Sequence, residues 1–167
     1  MSLVFSFAPI VSDQARILIL GSMPGTASLA AGQYYAHPRN SFWPIMGELF
    51  GTDAALPYVE RCAMLAQQGV AVWDVLQSCS RPGSLDAAID KSTMLANDFN
   101  GFLTSYPQIN SIYFNGNTAE QSFRKQVLPS LKDKELHLQG LPSTSPAHAA
   151  LSFTQKCEQW RVILSRL

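Results

Sequence analysis

Two side-chain amides and one carboxylate carry most of the chemistry this sequence offers. Asn40 stands in His37-Pro38-Arg39-Asn40-Ser41-Phe42-Trp43. Its amide presents a donor and an acceptor on one planar group. It can cap a following helix, orient a water, or bind the edge of a planar base. Ser41 is a competing cap. Asn115, between Phe114 and Gly116, has the same repertoire. An amide there reads a purine or pyrimidine edge, or serves as a turn residue feeding the next helix. Asp74, in Val70-Ala71-Val72-Trp73-Asp74-Val75-Leu76, can orient a water, act as a base, or hold a loop by accepting backbone hydrogens. Phe42 either stacks on a planar ligand or packs in the core. Tyr34 and Tyr35 either line a pocket or close a loop, and Arg39 binds a phosphate or sits on the surface.

Two loops could hold an anion. Gly21-Ser22-Met23-Pro24-Gly25 has glycines that permit close backbone approach and N–H groups that suit negative charge. It matches neither GxxxxGK[ST] nor GxGxxG, so a nucleoside triphosphate site is not expected. Leu141-Pro142-Ser143-Thr144-Ser145-Pro146-Ala147-His148-Ala149 frames three hydroxyls between two prolines. Short hydroxyl side chains suit phosphate contact. Thr144 or Ser145 could instead cap the last helix. His148 is expected at that helix's start, where the dipole disfavours its charged form. A serine hydrolase built from Ser143 or Ser145 with His148 would lack the GxSxG elbow. The cysteines at 62, 79 and 157 lie far apart. They read as free thiols in a reducing cytosol, with no metal-ligand set.

These groups need elements to position them. An apolar run over 16–20 stops at Gly21 and reads as a buried strand. Further strands are expected over 70–76, 111–114 and 135–138. Helices are expected over 41–50, 57–68, 97–106, 117–127 and 148–164, with a short one over 84–89. The connection over 21–40 exceeds an ordinary loop, which suggests function or added local structure. Strands alternating with helices predict a mostly parallel sheet covered on both faces. In such sheets ligands bind beyond the C-terminal strand ends, where both loops, Asp74 and Asn115 would converge.

Composition narrows the classes. The chain has 167 residues, enough for one domain with a sizeable core. Hydrophobic residues are 47% and charged residues 14%, which argues against disorder or a coiled coil. Lys plus Arg and Asp plus Glu are 12 each. Bulk positive charge therefore cannot hold a nucleic acid, whereas a local surface still can. Residues 17–47 carry Arg39 and no carboxylate, and residues 136–157 carry Lys156, two histidines and no carboxylate. A polyanion could approach that end of the molecule. No apolar run approaches ~20 residues and the start lacks a basic leader, so neither membrane span nor signal peptide is expected.

The same motifs, taken together, resemble the uracil-DNA glycosylase superfamily, and most closely its hypoxanthine-DNA glycosylase (deoxyinosine glycosylase) branch. The likeness is carried by Gly21 to Gly25, Gln33 to Trp43, Trp73-Asp74-Val75, Phe114-Asn115-Gly116 and Leu141 to Ala147, and it covers nearly the whole chain. It implies one α/β/α sandwich over 1–167 with a central four-stranded, mostly parallel sheet. It implies a cytoplasmic, monomeric, monofunctional enzyme acting on double-stranded DNA that contains a deaminated base, with no metal or organic cofactor. Hypoxanthine is the favoured base. The alternatives are a uracil- or mismatch-specific glycosylase and a damaged-DNA-binding module without catalysis.

By the resemblance, Asn40 positions the attacking water and Asp74 is a second catalytic candidate. Ser22, Met23, Phe42 and Asn115 would meet the base, with Phe42 stacking. Pro24, Gly25, Tyr35, Arg39, Ser143, Thr144, Ser145 and His148 would meet DNA. Superfamily members with strong uracil activity carry Asp or Asn at the place of Met23, and often His or Asn at the place of Leu141. The branch has Asn where His148 stands.

Overall fold

The computed structural model describes residues 3–132 and 135–167. In chain order the elements are β1 (Leu3–Phe5), β2 (Ile17–Gly21), α1 (Thr26–Ala31), α2 (Phe42–Phe50), α3 (Tyr58–Gln67), β3 (Val70–Asp74), β4 (Leu76–Ser80), β5 (Asp90–Ala96), α4 (Phe99–Ser105), β6 (Ser111–Asn115), α5 (Asn117–Gln126), β7 (His137–Leu141) and α6 (Phe153–Trp160). One sheet has the order β3-β2-β6-β7, with every pairing parallel.

Alternation along the central strand explains the layering. Ile17 and Ile19 of β2 face one side of the sheet, and Leu18 and Leu20 the other; all four are fully buried. The first face packs on Phe42, Ile45 and Met46 of α2, Leu65 of α3 and Trp160 of α6. The second packs on Phe99, Phe102 and Leu103 of α4 and Phe123 of α5. A strand apolar on both faces belongs inside a doubly covered parallel sheet. The fold is the three-layer α/β sandwich expected.

Four features differ from the sequence expectation. Residues 70–76 divide: β3 ends at Asp74 and β4 turns away into a second, antiparallel sheet of order β1-β4-β5. The last strand, β7, runs over His137–Leu141 rather than 135–138, while the long 21–40 connection contains α1, the added local structure expected of it. The short helix over 84–89 is a single 3-10 turn, Asp86–Ala88. The closing helix starts at Phe153 rather than at His148, because Ser152 and Gln155 form a reciprocal capping box there. A 3-10 turn over Arg161–Arg166 follows it. His148 therefore sits in a loop, and no helix dipole acts on it from a first turn. Among the described residues no helix is long and apolar enough to cross a membrane.

Candidate active site

The parallel registers bring the strand ends level. Gly21 pairs with Asp74, and Asn115 with Leu141. Beyond them lies a pocket of about 480 Å³, whose floor includes Gly21, Asp74 and Asn115. Such a volume lies within the usual range for small-ligand sites. Ser22, Met23, Pro24, Gly25 and Asn40 also line it, as do Tyr35, Ser143, Ser145 and His148. Two expected site residues do not line the pocket: Arg39, exposed on the preceding turn, and Phe42.

The geometry corrects the assignment of Phe42. Its side chain is fully buried, and Tyr35 lies on its ring with centroids 4.2 Å apart and planes 28° from parallel. A base cannot reach that face. Tyr35 lines the pocket, as Tyr34 does, and Phe42 lies beneath it. Tyr35 also has φ +56°, the one non-glycine residue with positive φ among those described. Such a conformation is unfavourable for a bulky side chain and persists only where neighbours enforce it. Here they do. Trp43 Nε1 donates to Tyr34 O, Tyr34 N donates to the Tyr58 hydroxyl, and Ala36 N donates to Ser28 Oγ. The Tyr34 hydroxyl donates towards the carbonyls of Phe7 and Ala8.

Asn40 is oriented by its own chain. Its Oδ1 accepts the Phe42 N–H at 2.9 Å, a local Asx turn. That leaves the amide hydrogens and a second oxygen lone pair for the pocket. Asn115 is held on both sides by Thr144: Nδ2 donates to Thr144 Oγ1 and Thr144 N donates to Oδ1, each at 2.9 Å. Thr144 O in turn accepts from Ser41 N and Ser41 Oγ. One residue thus ties Asn115 to the segment carrying Asn40. Thr144 is 1% exposed, so the expected DNA contact is corrected to a strut inside the wall. Ser143 and Ser145 use their oxygens to accept loop N–H groups, leaving their hydroxyl hydrogens free to donate outward.

Two buried cations stand behind the loops. Arg81 donates to Pro24 O, Gly83 O and Met23 O, bracing the Gly21–Gly25 turn from within. Lys156, 5% exposed, donates to His148 O at 2.8 Å. Burial lowers the Lys156 pKa from its ordinary value. The sequence marked neither as a site residue, because their positions depend on how distant segments fold together. Nor is Asp74 the sole carboxylate here. Asp86 also lines the pocket, and its Oδ1 accepts the Ser22 hydroxyl at 2.7 Å. Burial raises the Asp86 pKa, while the Ser22 hydrogen bond and Arg81 oppose that rise.

Asp74 is 3% exposed, and its pKa is pushed up to about 7 by burial and then by Asp86, with Arg81 opposing. Burial first, and then Asp74, raises the pKa of the Tyr35 hydroxyl. Asp74 Oδ2 and the Tyr35 hydroxyl are both buried without a hydrogen-bond partner. Polar atoms left so at a pocket floor are groups a bound molecule can satisfy. Among the described residues no cluster of three or more His, Cys, Asp or Glu could hold a metal.

Known proteins place this geometry. A relative from Methanosarcina acetivorans, described as hypoxanthine DNA glycosylase, is 31% identical over 158 residues, covering 94% of this chain and 95% of its own length. One from Methanosarcina barkeri with the same description is 34% identical over 111 residues, 66% of this chain and 69% of its own. The solution NMR structure of a Methanosarcina acetivorans protein provisionally assigned as a uracil DNA glycosylase superposes with a TM-score of 0.78 at 29% identity. That match covers 98% of this chain and 97% of the other. Residues 8–167, from before the central strand to the chain's end, match the Uracil DNA glycosylase superfamily, and the protein belongs to it.

Proposed function

We propose that this protein excises a deaminated base, hypoxanthine first, from double-stranded DNA by hydrolysing its N-glycosidic bond. The carrying observation is the arrangement around Tyr35. A rigid aromatic face, an oriented amide at Asn40 and a second fixed amide at Asn115 surround a space of base size. The descriptions of both relatives support the choice of hypoxanthine.

The chemistry follows from what each group can do. The target nucleotide leaves the duplex and its base slides onto Tyr35, since stacking is tolerant of base identity. As the glycosidic bond breaks, the base departs with the bonding electrons and positive charge grows on the sugar. The Asp86 carboxylate and the DNA phosphates stabilise that charge in a site already organised for it. Met23 offers no proton acceptor to the water. Asn40 is a weak base as well, so its contribution is orientation: its free lone pair accepts a water hydrogen and points the oxygen at C1′, and the proton the water loses on forming the C1′–O bond passes through solvent to neutralise the departed base anion. Along the pocket wall the Ser143 and Ser145 hydroxyls, and beyond it the exposed Arg39, meet backbone phosphates, backed by Lys156 and Arg81.

Release of free hypoxanthine from a duplex carrying one deoxyinosine tests the reading. Stoichiometric base release with an abasic product supports it. Tight binding with intact strands would instead favour a damage-binding module, and faster release of uracil would move the substrate.

A further inference from the structure

Asp74 has no structural occupation that accounts for it. It is the last residue of β3, in a strand otherwise made of Val70, Ala71, Val72 and Trp73. Its side chain is almost wholly buried, and Oδ2 has no partner. Leaving a buried carboxylate oxygen unpaired destabilises a fold, and an apolar side chain would fill the same place. The Tyr35 hydroxyl is itself without a partner, and the polar neighbours Arg81, Ser22 and Asn97 are engaged elsewhere. The Arg81 guanidinium donates to Met23, Pro24 and Gly83 carbonyls. The Ser22 hydroxyl donates to Asp86. The Asn97 amide donates to the main-chain oxygen of Asp74, not to its carboxylate. The carboxylate is also open to the pocket at Gly21. A Cβ there would lie 2.6 Å from Asp74 Oδ1 and 2.9 Å from the Tyr35 hydroxyl. The absent side chain keeps the floor clear.

We propose that Asp74 is the specificity-determining residue of the pocket, its carboxylate accepting the ring N–H of a flipped base in the lactam form. This rests on the excision reading above and names what that site selects. Deamination changes one edge of a base. Adenine presents a ring-nitrogen lone pair at N1 beside an amino donor at C6. Hypoxanthine presents an N1–H donor beside a carbonyl acceptor. Cytosine and uracil differ in the same way at N3 and C4. A carboxylate offers only lone pairs. Against hypoxanthine it receives a charge-assisted hydrogen bond. Against adenine, lone pair faces lone pair in a site shielded from water, and both stay unpaired. A site that leaves buried polar groups unpaired with the wrong substrate discriminates far more strongly than an apolar one. The second half of the edge has its own partner. Asn115 Nδ2 spends one hydrogen on Thr144, and the other, beside the Tyr35 hydroxyl, is the one it can turn to the base carbonyl. Asp74 and Asn115 thus offer acceptor and donor to the donor and acceptor of a lactam.

The test compares single-turnover release at pH 8 from duplexes carrying deoxyinosine or deoxynebularine. The nebularine base is the same purine ring without the carbonyl and with a lone pair at N1. The wild-type protein should release hypoxanthine at least ~10-fold faster than purine. Asp74→Leu should slow hypoxanthine release ~10-fold or more while changing purine release by less than ~3-fold, so that the preference collapses. Asp74→Asn, whose amide can turn its oxygen to N1–H or its hydrogens to the purine lone pair, should release hypoxanthine faster than Asp74→Leu while its preference falls below that of wild type. Equal slowing of both bases by Asp74→Leu would overturn the proposal, as would a wild-type protein indifferent to the two, an outcome that needs no variant to fold. If the wild-type protein releases neither base, the excision reading fails on its own. Binding of free hypoxanthine and free purine to wild type and Asp74→Leu then decides the role of Asp74: hypoxanthine favoured by wild type and not by the variant supports it, and equal affinity of wild type for the two, or a preference that the variant keeps, overturns it.

Discussion

The ring of Tyr35 covers the ring of Phe42 at a centroid distance of 4.2 Å, so that one aromatic faces the pocket and the other supports it. The two should fail differently. Tyr35→Ala removes the platform and should cut single-turnover excision by roughly 10- to 100-fold, since one stacked aromatic is worth ~1–3 kcal/mol. Its melting temperature should fall less than that of a Phe42 truncation, because Tyr35 is half-buried and Phe42 fully buried. Phe42→Ala should unfold the protein ~3–5 kcal/mol more easily, as expected for a large core side chain. Tyr35→Phe should retain most activity. Denaturant melts alongside base-release rates check all three.

Gly21 sets how close the floor can come. A Cβ at this position would fall inside contact distance of both Asp74 Oδ1 and the Tyr35 hydroxyl. Gly21→Ala should therefore reduce excision by ~100-fold or more while the protein still folds, since displacing reacting groups by about 1 Å is enough for such losses. Full activity in that variant would mean that Asp74 and Tyr35 are not held where substrate needs them.

The pKa of Asp74 makes stability depend on pH. Burial raises it to about 7, against ~3.9 in an unfolded chain. The folded state then binds more protons than the unfolded state between these values. The stability linked to this proton is fully present below about pH 4 and is lost as pH rises through about 7. Asp74→Asn removes the charge and should flatten that slope. It should gain on the order of 1–3 kcal/mol relative to wild type at pH 8, and little at pH 4. Chemical denaturation of both proteins at the two pH values measures it. An unchanged difference would show that the carboxylate is not destabilised by burial.

Much of this arrangement can be read along the chain, for identifiable reasons. The Ile17–Leu20 run has one physical home, a strand covered on both faces, and its stop at Gly21 fixes the crevice end. The helix after Asn40 shows in the spacing of Phe42, Ile45, Met46 and Leu49. That same spacing marks Phe42 as core. Tyr35 enters the site through a left-handed backbone conformation that no local pattern announces. The β1-β4-β5 sheet is hidden because Leu76-Gln77-Ser78-Cys79-Ser80 lacks apolar alternation. Its pairing is decided by partners far away in sequence. Asp86 reaches the pocket, and Arg81 the turn behind it, only through that sheet's connecting loop. The start of α6 has a signal that the expectation of a start at His148 passed over: Ser152-Phe153-Thr154-Gln155 carries the capping-box pattern.

Lys156 offers a way to test how a chain with no net charge holds DNA. Its ammonium group lies beneath the 143–148 loop and bonds to His148 O. Lys156→Met keeps the aliphatic bulk and deletes both charge and tether. Affinity for an inosine duplex, measured in an Asn40→Ala background to prevent turnover, should fall by ~3- to 10-fold at low salt. The gap should narrow as salt rises. Equal affinity at every salt concentration would leave Lys156 a purely internal brace.

The most direct measurement is single-turnover release of hypoxanthine from an inosine-containing duplex by wild type and by Asn40→Ala. The amide is the group that aims the water, so the variant should bind the duplex as wild type does yet cleave at least ~100-fold more slowly. Wild-type release with the variant equally fast would contradict the central claim, because the water would then be directed by something other than Asn40.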